Sequence, residues 1–219
     1  AQFIRALDLQ QPVLVGHSLG GALALALALD HPGCVRALVL VSPLSQQMPD
    51  PPPPLRSLDL RSPWQRRLIA WLLLAPIGRL MHRRIMRGIY APELPPPGSD
   101  VQGGGALGLR PSTFTRACLD LLHVSDDLQC LVSRYAELEL PVEVLFGRQD
   151  PVLDPYEHGE RLAELVPGAR VHLIDGGHMI LVTAPQEVAR RIHRADARSR
   201  GASAPQDSPG AAPVRTMES

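Results

Sequence analysis

Lysine is missing from this chain: all 22 basic residues in its 219 are arginine, a bias that reads as coding composition rather than function. They are matched by 22 acidic residues, so the formal charge is zero and no global field recruits nucleic acid. Cysteine is scarce and odd in number. Cys34, Cys118 and Cys130 lack metal-type spacing, so they are expected as buried thiols in a reducing compartment, which points to the cytoplasm. Neither His-Glu-x-x-His nor Cys-x-x-Cys occurs, so no metal is expected. Long apolar runs are also lacking. The longest, Leu68 to Ile77, has ten residues and contains Pro76, against the roughly 18 of a membrane span. There is no initiator methionine and no leader. Phe3, Ile4 and Leu7 begin in the middle of a helical pattern, so an N-terminally incomplete piece of a longer protein is expected.

What is present is an apolar content of 45%, enough for one α/β domain or one domain with an insertion. The most informative segment is Gly16-His17-Ser18-Leu19-Gly20. It follows the apolar run Pro12-Val13-Leu14-Val15 and precedes the helical stretch Gly21 to Ala28. A Gly-x-Ser-x-Gly between strand and helix is a nucleophile elbow, a turn so tight that the serine backbone is strained and Gly16 and Gly20 must lack bulk. It lifts the serine Oγ clear of the sheet, near a helix N-terminus that favours developing negative charge.

The pattern predicts a helix to about Leu9, a strand over 13–17, a helix from the elbow to Asp30 and a second buried strand over 37–41. Two apolar strands joined by a helix form a parallel βαβ unit covered on both faces. After Pro43 the grammar changes. Four consecutive prolines at 51–54 read as a polyproline II connector. Residues 62–91 read as helical with a kink at Pro76, 92–105 as a loose stretch, and Ser112 as the N-cap of a helix through about His123. The α/β pattern resumes with strands at 142–147 and 170–175 and helices at 155–166 and 184–194. This divides the chain into core 1–43, a helical insertion 44–135, core 136–194 and a disordered tail 195–219.

A serine hydroxyl needs a base, and the base needs an orienting carboxylate. In the order known for this elbow, acid and then histidine follow at the ends of later strands. Arg148-Gln149-Asp150-Pro151 follows one such strand, and Asp175-Gly176-Gly177-His178 ends another. Ser18, Asp150 and His178 can therefore converge at one sheet edge. Asp154 is an alternative acid, and His17 is expected to be structural.

Gly-His-Ser-Leu-Gly-Gly, Phe-Gly-Arg-Gln-Asp-Pro-Val-Leu-Asp-Pro and Gly-Gly-His-Met together resemble the α/β-hydrolase fold family over roughly residues 1–43 and 136–194, with the insertion where that family carries its cap. The resemblance implies the C-terminal half of the family's parallel sheet, with Ser18 as nucleophile, Asp150 as acid and His178 as base. It implies hydrolysis of a small-molecule ester or related acyl bond through an acyl-enzyme, without a cofactor. The Leu19 N–H would form half of the oxyanion hole, and the other donor would come from upstream of Ala1. Carbon–carbon bond hydrolysis or cofactor-free perhydrolysis uses the same triad, and a non-catalytic binding protein of this fold is the reading from another class.

Residues 61–91 hold seven arginines and no acid. Arg79, Arg83 and Arg87 run parallel to an apolar row of Ile77, Met81 and Ile85. A basic amphipathic helix can lie on an anionic membrane, but a cap helix with its apolar face over the active site is the preferred expectation. Trp71, Leu72, Met81 and Met179 are then expected to contact the apolar acyl part of the substrate.

Overall fold

The computed structural model describes residues 1–48, 60, 62–99, 104, 107–108 and 110–201. The proline connector and most of the expected tail lie outside the described residues.

Four strands, β1 (Val13–His17), β2 (Ala37–Val41), β3 (Val142–Gly147) and β4 (Arg170–Ile174), form one parallel sheet in the order β1-β2-β3-β4. Because β2 is apolar at every position, it needs cover on both faces. Leu38 and Leu40 pack with Val144 and Phe146 against α2 (Leu19–Asp30), together with Leu128 and Leu131 of a later helix. Ala37, Val39 and Val41 pack with Leu145 under the C-terminal helix. The result is a helix–sheet–helix sandwich. A short α1 (Gln2–Ala6) precedes β1, which stands at one edge of the sheet.

Between β2 and β3 the described chain is helical: α3 (Pro63–Leu68), a π-helical turn (Ile69–Leu73), α4 (Leu74–Tyr90) and α5 (Pro111–Val132). The irregularity expected at Pro76 lies upstream of it. Pro76 is the third residue of α4, and the wide π-helical turn at 69–73 directly before it is the kind of irregularity that accommodates a missing helical N–H. Ser112 is not an N-cap: α5 begins at Pro111 after an extended Arg110, because proline is pre-organised for the first helical position. The helix also runs past His123 to Val132, drawn on by the buried Leu128 and Leu131.

After β3 come a π-turn (Tyr156–Glu160) and α6 (Arg161–Leu165), and after β4 come α7 (Ile180–Thr183) and α8 (Pro185–Ser199). The expectation of a tail from residue 195 is corrected here: α8 continues to Ser199. Its last turns are held by charge. Glu143, in the middle of apolar β3, has a side chain with 0% exposure. It accepts hydrogen bonds from Arg198 of α8 at 2.6 Å and from the His172 imidazole of β4 at 2.7 Å. Burial alone would raise the Glu143 carboxyl, but His172 and Arg198 together hold it below its ordinary value. Arg36 pairs with Asp196 on the same helix. Of the three thiols expected to be buried, only Cys118 is; Cys34 is half-buried and Cys130 is exposed.

Candidate active site

The register His17↔Val41 and Gly147↔Ile174 brings the C-terminal ends of all four strands to one edge. The elbow, the acid loop and the histidine loop leave from that edge. At the elbow, Ser18 has φ 53°, a backbone state that costs a non-glycine residue about 1–3 kcal/mol. Three hydrogen bonds hold it there. Its N–H donates to the Val41 carbonyl at 3.1 Å, and its carbonyl accepts from Gly21 at 2.8 Å and from Leu44 at 2.9 Å. A Cβ on Gly16 would lie 2.5 Å from the Gly20 carbonyl oxygen, so the turn closes only on glycine. The second requirement for small size falls on a different residue from the one the motif suggests. A Cβ on Gly20 meets nothing within 4 Å, whereas one on Gly21 would lie 2.4 Å from Pro43 Cβ. Leu19 is the first residue of α2, where an N–H has no acceptor within the helix.

Asp150 and His178 are joined. His178 Nδ1 and Asp150 Oδ2 are 2.8 Å apart, with the two side chains 5% and 0% exposed. The other carboxylate oxygen, Oδ1, accepts from the N–H groups of Val152 at 2.8 Å and Leu153 at 3.0 Å. Those two bonds hold the carboxylate in one orientation. With Nδ1–H donating to Asp150, Nε2 of His178 is left with a lone pair. Asp154, the alternative acid, is exposed and accepts from the N–H groups of Tyr156 and Glu157, which is the work of a helix cap. Asp150 and His178 are therefore brought together, while no hydrogen bond joins Ser18 Oγ to His178 among the described residues. Such bonds often tighten only with substrate bound.

Two contacts here were not read from the sequence. His17, expected to be structural, donates from Nε2 to the His178 carbonyl at 3.0 Å, and its ring lies 5.0 Å from the His178 ring. Burial lowers its pKa, and the hydrogen bond to the His178 carbonyl opposes that only in part. Glu93, in the loop after α4, accepts from the Gly177 N–H at 3.0 Å and so ties that loop to the residue before His178. The sequence held one signal for it: Glu93 is the only acid between Leu60 and Ser99.

Trp71, Leu72 and Met81 are all exposed, Trp71 by 73%. Met179 directly follows His178 and is half-buried. A cavity of about 780 Å³ lies behind the acid loop, bounded by Gln46, Val152, Asp154 and His158 among others. Ser18, Asp150 and His178 do not line it. His158 there is buried, accepts at Nδ1 from the Ser45 and Gln46 N–H groups at 3.2 Å each, and is pushed by burial to a pKa of about 4.

The alpha/beta hydrolase fold family matches residues 1–185. The chain belongs to the alpha/beta hydrolase fold family. The chain is 28% identical over 199 residues to the poly(3-hydroxyalkanoate) depolymerase of Ectopseudomonas oleovorans, a match covering 86% of the chain and 62% of the depolymerase. It is 30% identical over 190 residues to the pimeloyl-[acyl-carrier protein] methyl ester esterase of Methylococcus capsulatus, covering 82% and 68% of the two chains. Among solved structures, the 2-hydroxy-6-oxo-6-phenylhexa-2,4-dienoate hydrolase from a Rhodococcus species superimposes with a TM-score of 0.66 at 19% identity, over 88% of this chain and 66% of that one. The chain thus spans less than two thirds of the depolymerase's length.

Proposed function

We propose that this hydrolase cleaves a carboxylic ester or related acyl bond through an acyl-enzyme, with Ser18 as nucleophile, His178 as general base and Asp150 as its orienting acid. The observation that carries this reading is the buried His178–Asp150 pair, packed against His17, the residue before the strained serine. His178 Nε2 takes the Ser18 hydroxyl proton as Oγ attacks the carbonyl carbon, and Asp150 stabilises the imidazolium that forms. The oxyanion faces the Leu19 N–H at the start of α2. Collapse expels the alcohol, which takes the proton from His178. A water deprotonated by the same nitrogen then frees the acid from Ser18.

The similarity to a methyl ester esterase and to a polyester depolymerase supports ester chemistry. Short activated esters and 3-hydroxyalkanoate oligomers are accordingly the substrates to test first. A helical cap over the site, formed by 44–135, belongs to the same proposal. A fluorophosphonate probe tests the chemistry directly. Covalent labelling of wild-type protein at Ser18, lost in Ser18→Ala and His178→Ala, is the expected result. Wild-type protein that stays unlabelled while folded would mark a binding protein instead.

A further inference from the structure

The segment α3, the π-turn and α4 carries an apolar surface that is exposed among the described residues. Trp64, Leu68, Trp71 and Leu72 recur at spacings of four, three and one, a single helical stripe, and all four are exposed. Leu80 on α4 is 85% exposed, and Met81 and Ile85 beside it are exposed as well. The sequence expectation turned this apolar row toward the active site; the described side chains turn it toward water, while Gly78 and Tyr90 take the buried face. A cluster of this kind marks an interaction surface.

The charge on the same surface selects the partner. Arg83, Arg84 and Arg87 stand three, four and seven residues after Leu80, on one helix face with it, and all three are exposed, as is Arg67 on α3. No acidic residue occurs between Leu60 and Pro92. We propose that this face docks on an anionic lipid surface, its tryptophans and leucines entering the headgroup–acyl boundary and its guanidinium groups meeting the phosphates. This goes beyond the hydrolase reading and does not rest on it. Nucleic acid would satisfy the arginines but leave Trp71 and Leu80 in water. A second copy of this face would set arginine against arginine with no carboxylate between them. A bilayer interface satisfies both halves, apolar chains below and anionic groups above. Lying on the membrane, rather than crossing it, agrees with the helices: no described helix is long and apolar enough to span.

Trp64 and Trp71 are the only tryptophans in the chain, so its indole fluorescence reports on this face alone. With phosphatidylglycerol vesicles the protein should float with the lipid and its emission should shift to the blue; with phosphatidylcholine vesicles it should do neither. About 1 M salt, where the Debye length is about 3 Å, should release it. Changing Arg83, Arg84 and Arg87 together to Gln should weaken partitioning on the order of a hundredfold. Leu80→Glu, at a position too exposed to matter for folding, should also release it. Hydrolysis of a soluble short ester should be unchanged in both variants. Equal binding to the two lipids, an unshifted emission with either, or emission already blue without vesicles and dependent on protein concentration would each overturn the proposal, the last by showing that the face covers itself with a second copy.

Discussion

Replacing Asp150 by asparagine tests the proposed dyad at a single atom. The Val152 and Leu153 N–H groups both donate to Oδ1, while Oδ2 faces Nδ1 of His178. In Asp150→Asn the two N–H groups keep the amide oxygen at the Oδ1 position, because a flipped amide would set N–H against N–H. The amide NH₂ then faces Nδ1, which must accept, so the imidazole proton moves to Nε2. An Nε2 that carries a proton cannot take one from Ser18. The side-chain hydrogen bonds survive, so the melting temperature should stay near wild type. In contrast, kcat on a soluble activated ester should fall by roughly 10⁴, about 5 kcal/mol of transition-state stabilisation. Asp154→Asn keeps its cap oxygen and should leave kcat near wild type. Thermal unfolding and steady-state kinetics on the two variants decide the matter. If Asp150→Asn kept kcat within about tenfold, or if Asp154→Asn were the crippled variant of the pair, the acid assignment would fail.

At the elbow, Gly20→Ala should fold and turn over normally, gaining up to about 1 kcal/mol, whereas Gly16→Ala and Gly21→Ala should lose both folding yield and activity; melting temperatures rank the three. Arg198→Met removes one partner of the fully buried Glu143 and should cost about 3 kcal/mol in urea unfolding; a loss under about 1 kcal/mol would mean that the end of α8 is not docked. His158 is held neutral in the fold with a pKa of about 4 against 6.5 unfolded, so the unfolded chain binds the extra proton. Its contribution is complete above about pH 6.5 and is lost as the pH falls toward 4, amounting to about 3 kcal/mol. His158→Gln should flatten that part of the stability profile between about pH 7 and pH 4.5, measured by urea midpoints.

Local chemistry made much of the molecule legible. Both strands of the first βαβ unit and the helix between them were bounded from the residues alone, since an all-apolar strand must be covered on both faces and the proline and glycine at 32 and 33 stop the helix at Asp30. The pairing of Asp150 with His178 was likewise readable, because strand ends in a parallel sheet share an edge. What the sequence could not decide were contacts between residues far apart in the chain. Glu143 looks out of place in β3 until Arg198 and His172 reach it, and that pairing orders a stretch whose composition reads as a tail. The need for a small residue passes from Gly20 to Gly21 because Pro43, after the next strand, packs there. Glu93 and His17 reach the histidine loop only because a loop and a ring arrive from elsewhere. The apolar row on α4 could face the core or the solvent, since a helix repeat states that one side is apolar but not what lies opposite. Periodicity and turn chemistry are local, and a sequence carries them in full. Which groups meet across the sheet, and which faces are left open to water, follows from how the elements pack, and only the tertiary structure decides it.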